Sequence, residues 1–353
     1  MANRKGVKNG GAKFLNVLQG ANHPDADRWY ELMKDYCDPA KYPDTHFDGW
    51  SMGGQNMCDV HLVLKRLVAL RYDNLLQQGK HDWMHFLGTS KLEWAVLLTV
   101  IQRAVRKYVN PNFTISFDCA SPFLATANGQ VYFENVFPND EKWSYRMAPS
   151  ADDKKYATDT RKWSTGVVQD GIYPRWEESP ISDMLTMKDI CIYKPGDLNK
   201  IGKIGKTSWD SFAYTLMMGH NVECHIVAVQ RAQQLMDIEI AKNKDKLHWS
   251  HWKKVKSGDM SDEYSDWVPR NILYFSSFIE ELFNTKTKAE AFEMIEQAGP
   301  FLRSLEGARL QGGPAQNTFG SLFEIETVTD QDEIDLANPV DDDLRALEES
   351  VTG

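Results

Sequence analysis

Asp118 closes the apolar run Thr114–Phe117 and opens a loop that carries Pro122 and then Asn128-Gly129-Gln130. A carboxylate presented at the carboxyl end of a strand can attack the anomeric carbon of a nucleotide, displace the base and hold the sugar as a covalent intermediate. Taken alone, a strand-end aspartate is more often a cap or half of an ion pair. A second stretch, Phe47-Asp48-Gly49-Trp50-Ser51-Met52-Gly53-Gly54, sets paired glycines just past another strand-like run. Without Cβ atoms the backbone there can approach the edge of a planar ligand, although a tight turn calls for the same residues. The carboxylate and the glycine turn form a pocket only if the fold brings them to one rim.

The elements that must do so are legible as an alternation. Phe14–Leu18, Gly49–Met52, Trp83–Leu87 and Thr114–Phe117 read as strands, with helices over His23–Cys37, Asp59–Gln78 and Ser90–Val109 between them. Val60, Leu64, Leu67 and Val68 recur at the spacing of one helix face, as do Leu92, Val96, Leu97, Val100 and Ile101. This β-α-β-α-β-α-β order predicts an α/β fold with a parallel sheet and crossover helices. Gln19, Gly54, Leu87 and Asp118 fall roughly one βα unit apart, so their strand ends would converge. Four strands are too few to close a parallel barrel, and open edges would leave backbone donors and acceptors unpaired.

After the fourth strand the pattern weakens. Residues 141–210, rich in charge, proline, Trp and Tyr, read as an irregular insert with short elements. Helices are expected at Ser211–Ile240, Ile272–Phe283 and Lys288–Leu305, within a helical region 211–320. Residues 1–12 read as a flexible N-terminus and residues 321–353 as an acidic, disordered tail. The tail holds eleven of the 50 acids and one base, Arg345, so the net charge of −10 resides there and residues 1–320 are balanced. A 353-residue chain with 42% hydrophobic residues can bury a large core, which predicts a folded soluble protein.

Five cysteines, Cys37, Cys58, Cys119, Cys191 and Cys224, form no Cys-x-x-Cys pair. That fits a reducing, cytoplasmic setting and argues against a disulfide framework or a thiolate zinc site. No apolar run has membrane-spanning length, so no membrane partner is expected. His220, Cys224 and His225 lie within about one helical turn and offer metal-type ligands, but a packed helix is the commoner outcome of such spacing. Residues 202–207 look like a phosphate loop, yet Lys200 stands where its first glycine belongs. His248 and His251, with Lys253, Lys254 and Lys256, form a basic stretch that either contacts phosphates or is a solvated face.

The unit Phe117-Asp118-Cys119 with Pro122 and Asn128-Gly129-Gln130, the Gly53-Gly54 pair, Val17-Leu18-Gln19-Gly20 and Leu87-Gly88 together resemble the second half of the tRNA-guanine transglycosylase family. The likeness covers about residues 13–133. It implies a (β/α)8 TIM-barrel type of fold, with residues 13–140 supplying roughly the second half of the barrel and a helical C-terminal region following. It also implies Asp118 as the catalytic nucleophile. Gln19, in its turn with Gly20, and the backbone N–H of Gly54, beside Gly53, would meet the purine O6. The Gln55 carbonyl would meet the 7-substituent of a deazaguanine, Asp59 would replace a glutamate that supports that peptide, and Leu87-Gly88 would lie near the base. The implied reaction exchanges guanine in a polynucleotide for a 7-deazaguanine, without a cofactor.

Departures from the family pattern modify these expectations. The family's structural zinc uses three closely spaced cysteines and the histidine of a His-Asn pair, whereas the stretch Pro180–Cys191 ahead of Gly219-His220-Asn221 holds only Cys191, so no zinc is expected. Phe123, Leu124, Thr126 and Ala127 replace arginines that grip the tRNA backbone, which weakens phosphate contacts. DNA is therefore expected as the acceptor rather than tRNA, as in the DNA 7-deazaguanine transglycosylases of phages and genomic islands. Trp143, Tyr145, Trp163 and Trp176 offer stacking surfaces for unpaired bases, or ordinary core. The family's general-base aspartate belongs to the first half of the barrel and has no counterpart before Lys13, so a second polypeptide carrying that half is expected. Two other readings stand beside this one: a catalytically silent subunit that binds nucleic acid or a partner chain, and a nonenzymatic binding protein of unrelated α/β fold.

Overall fold

A computed structural model describes residues 12–20, 22–53, 59–137, 143–151, 153–191, 211–244, 247–252 and 268–305. Gly54, Gln55, Cys58, the phosphate-loop look-alike at 202–207, the lysines at 253–256 and the acidic tail lie outside the described residues.

Four short strands, β1 (Leu15–Leu18), β2 (Gly49–Met52), β3 (Trp83–Phe86) and β4 (Thr114–Phe117), pair in parallel in their chain order. Parallel neighbours need crossovers, and these are α1 (His23–Met33), α2 (Val60–Tyr72) and α3 (Leu92–Tyr108). The helix starts follow local chemistry. Asn22 caps α1 by accepting from Asp25 N with Pro24 in the first turn, and Asp59 caps α2 by accepting from Leu62 N. Right-handed crossovers between strands taken in order put every helix on the same face of the sheet. Burial follows that rule: Leu18, Trp50, Met52, Met84 and Phe86 are buried toward the helices. Their alternates Val17, Ser51, His85 and Ser116 point to the opposite face.

After α4 (Ser121–Ala127), strands β5 (Gln130–Val136) and β6 (Ser144–Pro149) form an antiparallel hairpin with an irregularity between Tyr132 and Glu134. Helices α5 (Trp163–Gln169), α6 (Pro180–Met184) and α7 (Met187–Ile190) pack with it around a second core containing Trp163, Tyr173 and Met187. The stretch expected to be irregular therefore contains a small packed unit. Its aromatic residues are what make burial possible despite the many charges.

The long helix α8 (Ser211–Asn243), about 50 Å from end to end, joins the two cores. Met217 belongs to the second, whereas Ala228, Ala232 and Met236 enter the main one at four-residue spacing. Helices α9 (Arg270–Asn284), α10 (Lys288–Gln297) and α11 (Gly299–Leu305) complete the main core. The single helix expected over Lys288–Leu305 is divided because Pro300 cannot donate a helical N–H. Arg71 and Tyr72 both donate to Thr285 O, at 3.0 and 2.9 Å, tying α2 to the turn before α10. Among the described residues no helix is long and apolar enough to cross a membrane.

Gly49 marks the tightest strand contact, since a Cβ there would lie 2.1 Å from Trp83 O. Gly49→Ala should lower stability by roughly 2 kcal/mol, because backbone rather than a mobile side chain must yield. Urea titration would register it as a lower midpoint at unchanged slope.

Candidate active site

The register sets the site. Leu18, Met52, Phe86 and Phe117 occupy the last aligned row of the four strands. The residues that follow, Gln19, Gly53, Leu87 and Asp118, therefore stand side by side on one rim. Backbone bonds extend the ladder there: Leu87 N donates to Met52 O at 3.0 Å and Asp118 N to Phe86 O at 3.3 Å. A Cβ on Gly53 would lie 3.3 Å from Leu87 Cδ1 and 3.4 Å from Gln19 Nε2, so these three residues are direct neighbours. Two strand spacings of about 4.8 Å place Asp118 roughly 10 Å from Gly53.

Asp118 is 62% exposed at its side chain, and Gly88 N donates to its Oδ1 at 2.8 Å. The backbone thus aims the carboxylate while leaving it open to a ligand. Gly88 has φ +72, the left-handed region that lets its N–H turn back toward Asp118. Gly20 answers a different demand: its φ is +150, and a Cβ would fall 2.5 Å from Ala26 N, so the start of α1 packs directly on it. Asp59, besides capping α2 through Oδ1, holds His23 Nε2 at 2.9 Å through Oδ2.

Sequence reasoning missed one part of the rim. Trp83 Nε1 donates to Ser116 Oγ at 2.7 Å, Ser116 Oγ lies 2.8 Å from His85 Nδ1, and His85 Nε2 approaches Asp118 Oδ1 at 3.6 Å. Since Ser116 Oγ accepts from the indole, its own proton suits His85 Nδ1, which leaves the Nε2 proton facing Asp118. The signal was present: positions 83, 85 and 87 alternate onto the same face as 116 and 118.

The loop after Asp118 is held from α8. Asn221 Oδ1 accepts from Tyr132 N at 2.9 Å, and its Nδ2 donates to Thr126 Oγ1 and Gln130 O, each at 3.0 Å. His220 uses both ring nitrogens, with Ser179 Oγ and Tyr132 O each 2.8 Å away, and stacks on Trp176 at 4.8 Å. Cys224 Sγ approaches it at 3.5 Å, so the imidazole is fully committed within the fold. His225 stacks on Tyr145 at 5.0 Å, meets Cys119 Sγ at 3.6 Å and, among the described residues, has no partner for Nδ1. Trp143 and Trp163 are buried and Tyr145 packs within the core, so none of these three presents a free stacking face. Cys191 is buried beside Asp153 O.

His248 pairs with Ser250 and, more distantly, with Glu281. It lines a cavity of about 680 Å³ between α3, α8 and α9 that includes none of the rim residues. Its charged walls are largely self-neutralised, Arg103 by Asp237 and Lys107 by Glu280.

Comparison with family models, with curated proteins and with solved structures finds no match.

Burial pushes both His220 and His225 down to about 4. An unfolded histidine titrates near 6.5, so the unfolded chain binds more protons than the folded one between about pH 6.5 and 4. Stability should be level above pH 6.5 and fall as pH drops through that window, by up to about 1.4 kcal/mol per unit for each histidine. His225→Phe keeps the stack on Tyr145 and removes one titrating group. Denaturant titrations at several pH values should give that variant a shallower slope.

Proposed function

We propose that the rim is one wall of a purine-nucleoside cleft and that the protein exchanges guanine in a polynucleotide for a 7-deazaguanine, as the likeness to tRNA-guanine transglycosylases implies. The observation that carries this reading is the aligned row Gln19, Gly53, Leu87 and Asp118, which sets an oriented, accessible carboxylate about one nucleoside away from an amide-and-glycine turn. In this reading Asp118 attacks C1′, the C1′–N9 bond breaks and guanine departs with the electron pair. The 7-deazaguanine nitrogen, after losing its proton to a base, then attacks C1′ and releases the carboxylate. Gln19 and Gly54 read O6, Gln55 reads the 7-substituent, and Gly20, Gly53, Leu87 and Gly88 shape the base site. His85 steadies the carboxylate. The target nucleotide has to leave its stack to reach the rim.

DNA is the favoured acceptor. The stretch after Asp118 forms the short helix α4, with Phe123 exposed and Thr126 buried, and it offers no cation to a phosphate. A second polypeptide is proposed to complete a (β/α)8 barrel of which β1–β4 form half. Parallel sheets are ordinarily covered on both faces. Among the described residues, the face carrying Trp83, His85 and Ser116 has no helix layer, and Trp83 is 38% exposed.

The decisive assay co-expresses the chain with its genomic neighbour and follows labelled 7-deazaguanine into DNA, with tRNA as a parallel arm. Asp118→Asn, which can still accept from Gly88 N, should lower exchange by more than about 10³-fold and abolish any denaturant-resistant protein–DNA adduct. Exchange that persists in this variant would refute the nucleophile. A purified chain that is a stable monomer with no affinity for the neighbouring product would refute the divided barrel.

A further inference from the structure

His23 begins α1, Asp59 caps α2 and His61 lies in the first turn of α2; together they form a second cluster on the same side of the molecule as the rim. One ligand atom from each lies within 4.8 Å of the other two. His23 Nε2 is 2.9 Å from Asp59 Oδ2, and the two imidazole rings are 5.3 Å apart, tilted at 44°. We propose that these three side chains bind a divalent transition-metal ion of the zinc class. The site has only Asp59 in common with the base-exchange reading, does not require that reaction, and shares no residue with the Cys191–His220 region.

Two imidazoles and one carboxylate are a donor set suited to zinc and its neighbours, with water completing the coordination. The two chain segments that supply them are fixed by other means. Asp59 Oδ1 accepts from Leu62 N at 3.0 Å, which orients Oδ2 toward the histidines. His61 Nε2 lies 3.5 Å from Glu296 Oε2, the outer carboxylate that commonly orients a ligating imidazole. Side-chain exposures of 39%, 35% and 17% for His23, Asp59 and His61 leave a path for the ion and room for bound water. Drawing atoms at most 4.8 Å apart into one coordination sphere takes only small rotations of these half-exposed side chains.

The surrounding charges favour a cation. Lys65 is matched by Glu296 at 2.5 Å and Arg66 by Asp27, and Asp59 adds a carboxylate 2.9 Å from His23 Nε2. Bound there, the ion ties the amino end of α1 to that of α2, and hence the connection after β1 to the connection after β2.

Cobalt(II) titration of the chelator-treated full-length chain tests the site. The wild type should take up one equivalent and develop the visible bands of a four- or five-coordinate ion, which zinc then quenches. The paired substitution His23→Gln with His61→Gln should remove the bands while the far-ultraviolet dichroism is kept. Asp59→Asn, which preserves the helix cap, should weaken binding at least about tenfold, the lower end for changes that touch only outer-sphere partners. Zinc should raise the melting temperature of the wild type but not of the paired variant. A wild-type spectrum that stays that of the hexahydrated ion, or bands that persist in the paired variant, would overturn the proposal.

Discussion

The arrangement of this protein follows from the joining of parallel strands in chain order. A parallel neighbour can be reached only by a crossover, and right-handed crossovers taken repeatedly in one direction deliver every helix to the same face. The apolar positions Leu18, Trp50, Met52, Met84 and Phe86 meet that layer, and the other face is left to Ser51, Trp83, His85 and Ser116. The same constraint brings all four carboxyl ends to one rim, because the register runs unbroken from Leu18 to Phe117. Helix side chains also partly shield the outer edges. Trp29 Nε1 donates to Val17 O at 2.9 Å on the β1 edge, and Ile115 N donates to Gln102 Oε1 at 2.6 Å on the β4 edge. Covering edge groups in this way blunts unwanted strand pairing, and any strand that did add there would have to displace these contacts.

Helix α8 does for the Asp118 loop what the register does for the strand ends. A buried amide is tolerated when its donors and acceptor are satisfied, and Asn221 meets that condition through the Thr126, Gln130 and Tyr132 contacts. Those contacts fix the turn at Asn128-Gly129 relative to the main core. His220 contributes a further bond to Tyr132 O, and the space around it is filled by Trp163, Trp176 and Ser179. An imidazole stacked and hydrogen-bonded on all sides organises this corner as a metal ion would, at the cost of remaining unprotonated as the medium turns acidic.

Much of this was legible in the sequence, for identifiable reasons. Each of β1–β4 is a short apolar run between turn residues, and α2 and α3 carry helical periodicity over several turns, so the α/β alternation and the shared rim could be read directly. The hairpin β5–β6 and helices α5–α7 were not, because their burial rests on aromatic residues such as Trp163 and Tyr173 scattered among charges rather than on any period. The division between α10 and α11 turned on the single Pro300. The His85–Ser116–Trp83 chain escaped notice because it links two strands through residues common on any surface. Only the register of β3 with β4 makes them neighbours. Asp59 was read only for a role near the base; its N-cap to Leu62 N is a local contact, whereas its pairing with His23 joins residues distant in sequence and needed the fold to be seen.

The polar second face bears on what can cover it. A sheet buried between two apolar layers carries near-continuous hydrophobic runs, and β3 and β4 depart from that with His85, Thr114 and Ser116. Sealing such groups under an apolar layer would cost roughly 1–3 kcal/mol for each one left without a partner. Ser51 and Ser116 already meet part of that cost internally, through His85 O and through Trp83 and His85. Among the described residues the 62% exposed carboxylate of Asp118 has only the Gly88 N–H and the more distant His85, so a purely hydrophobic cover over it is disfavoured. The occupant that suits this face is one that brings its own donors to the Asp118 end and apolar or aromatic surface to Leu87 and Trp83. The nucleoside proposed for this cleft, set in a partly aqueous site, has that combination.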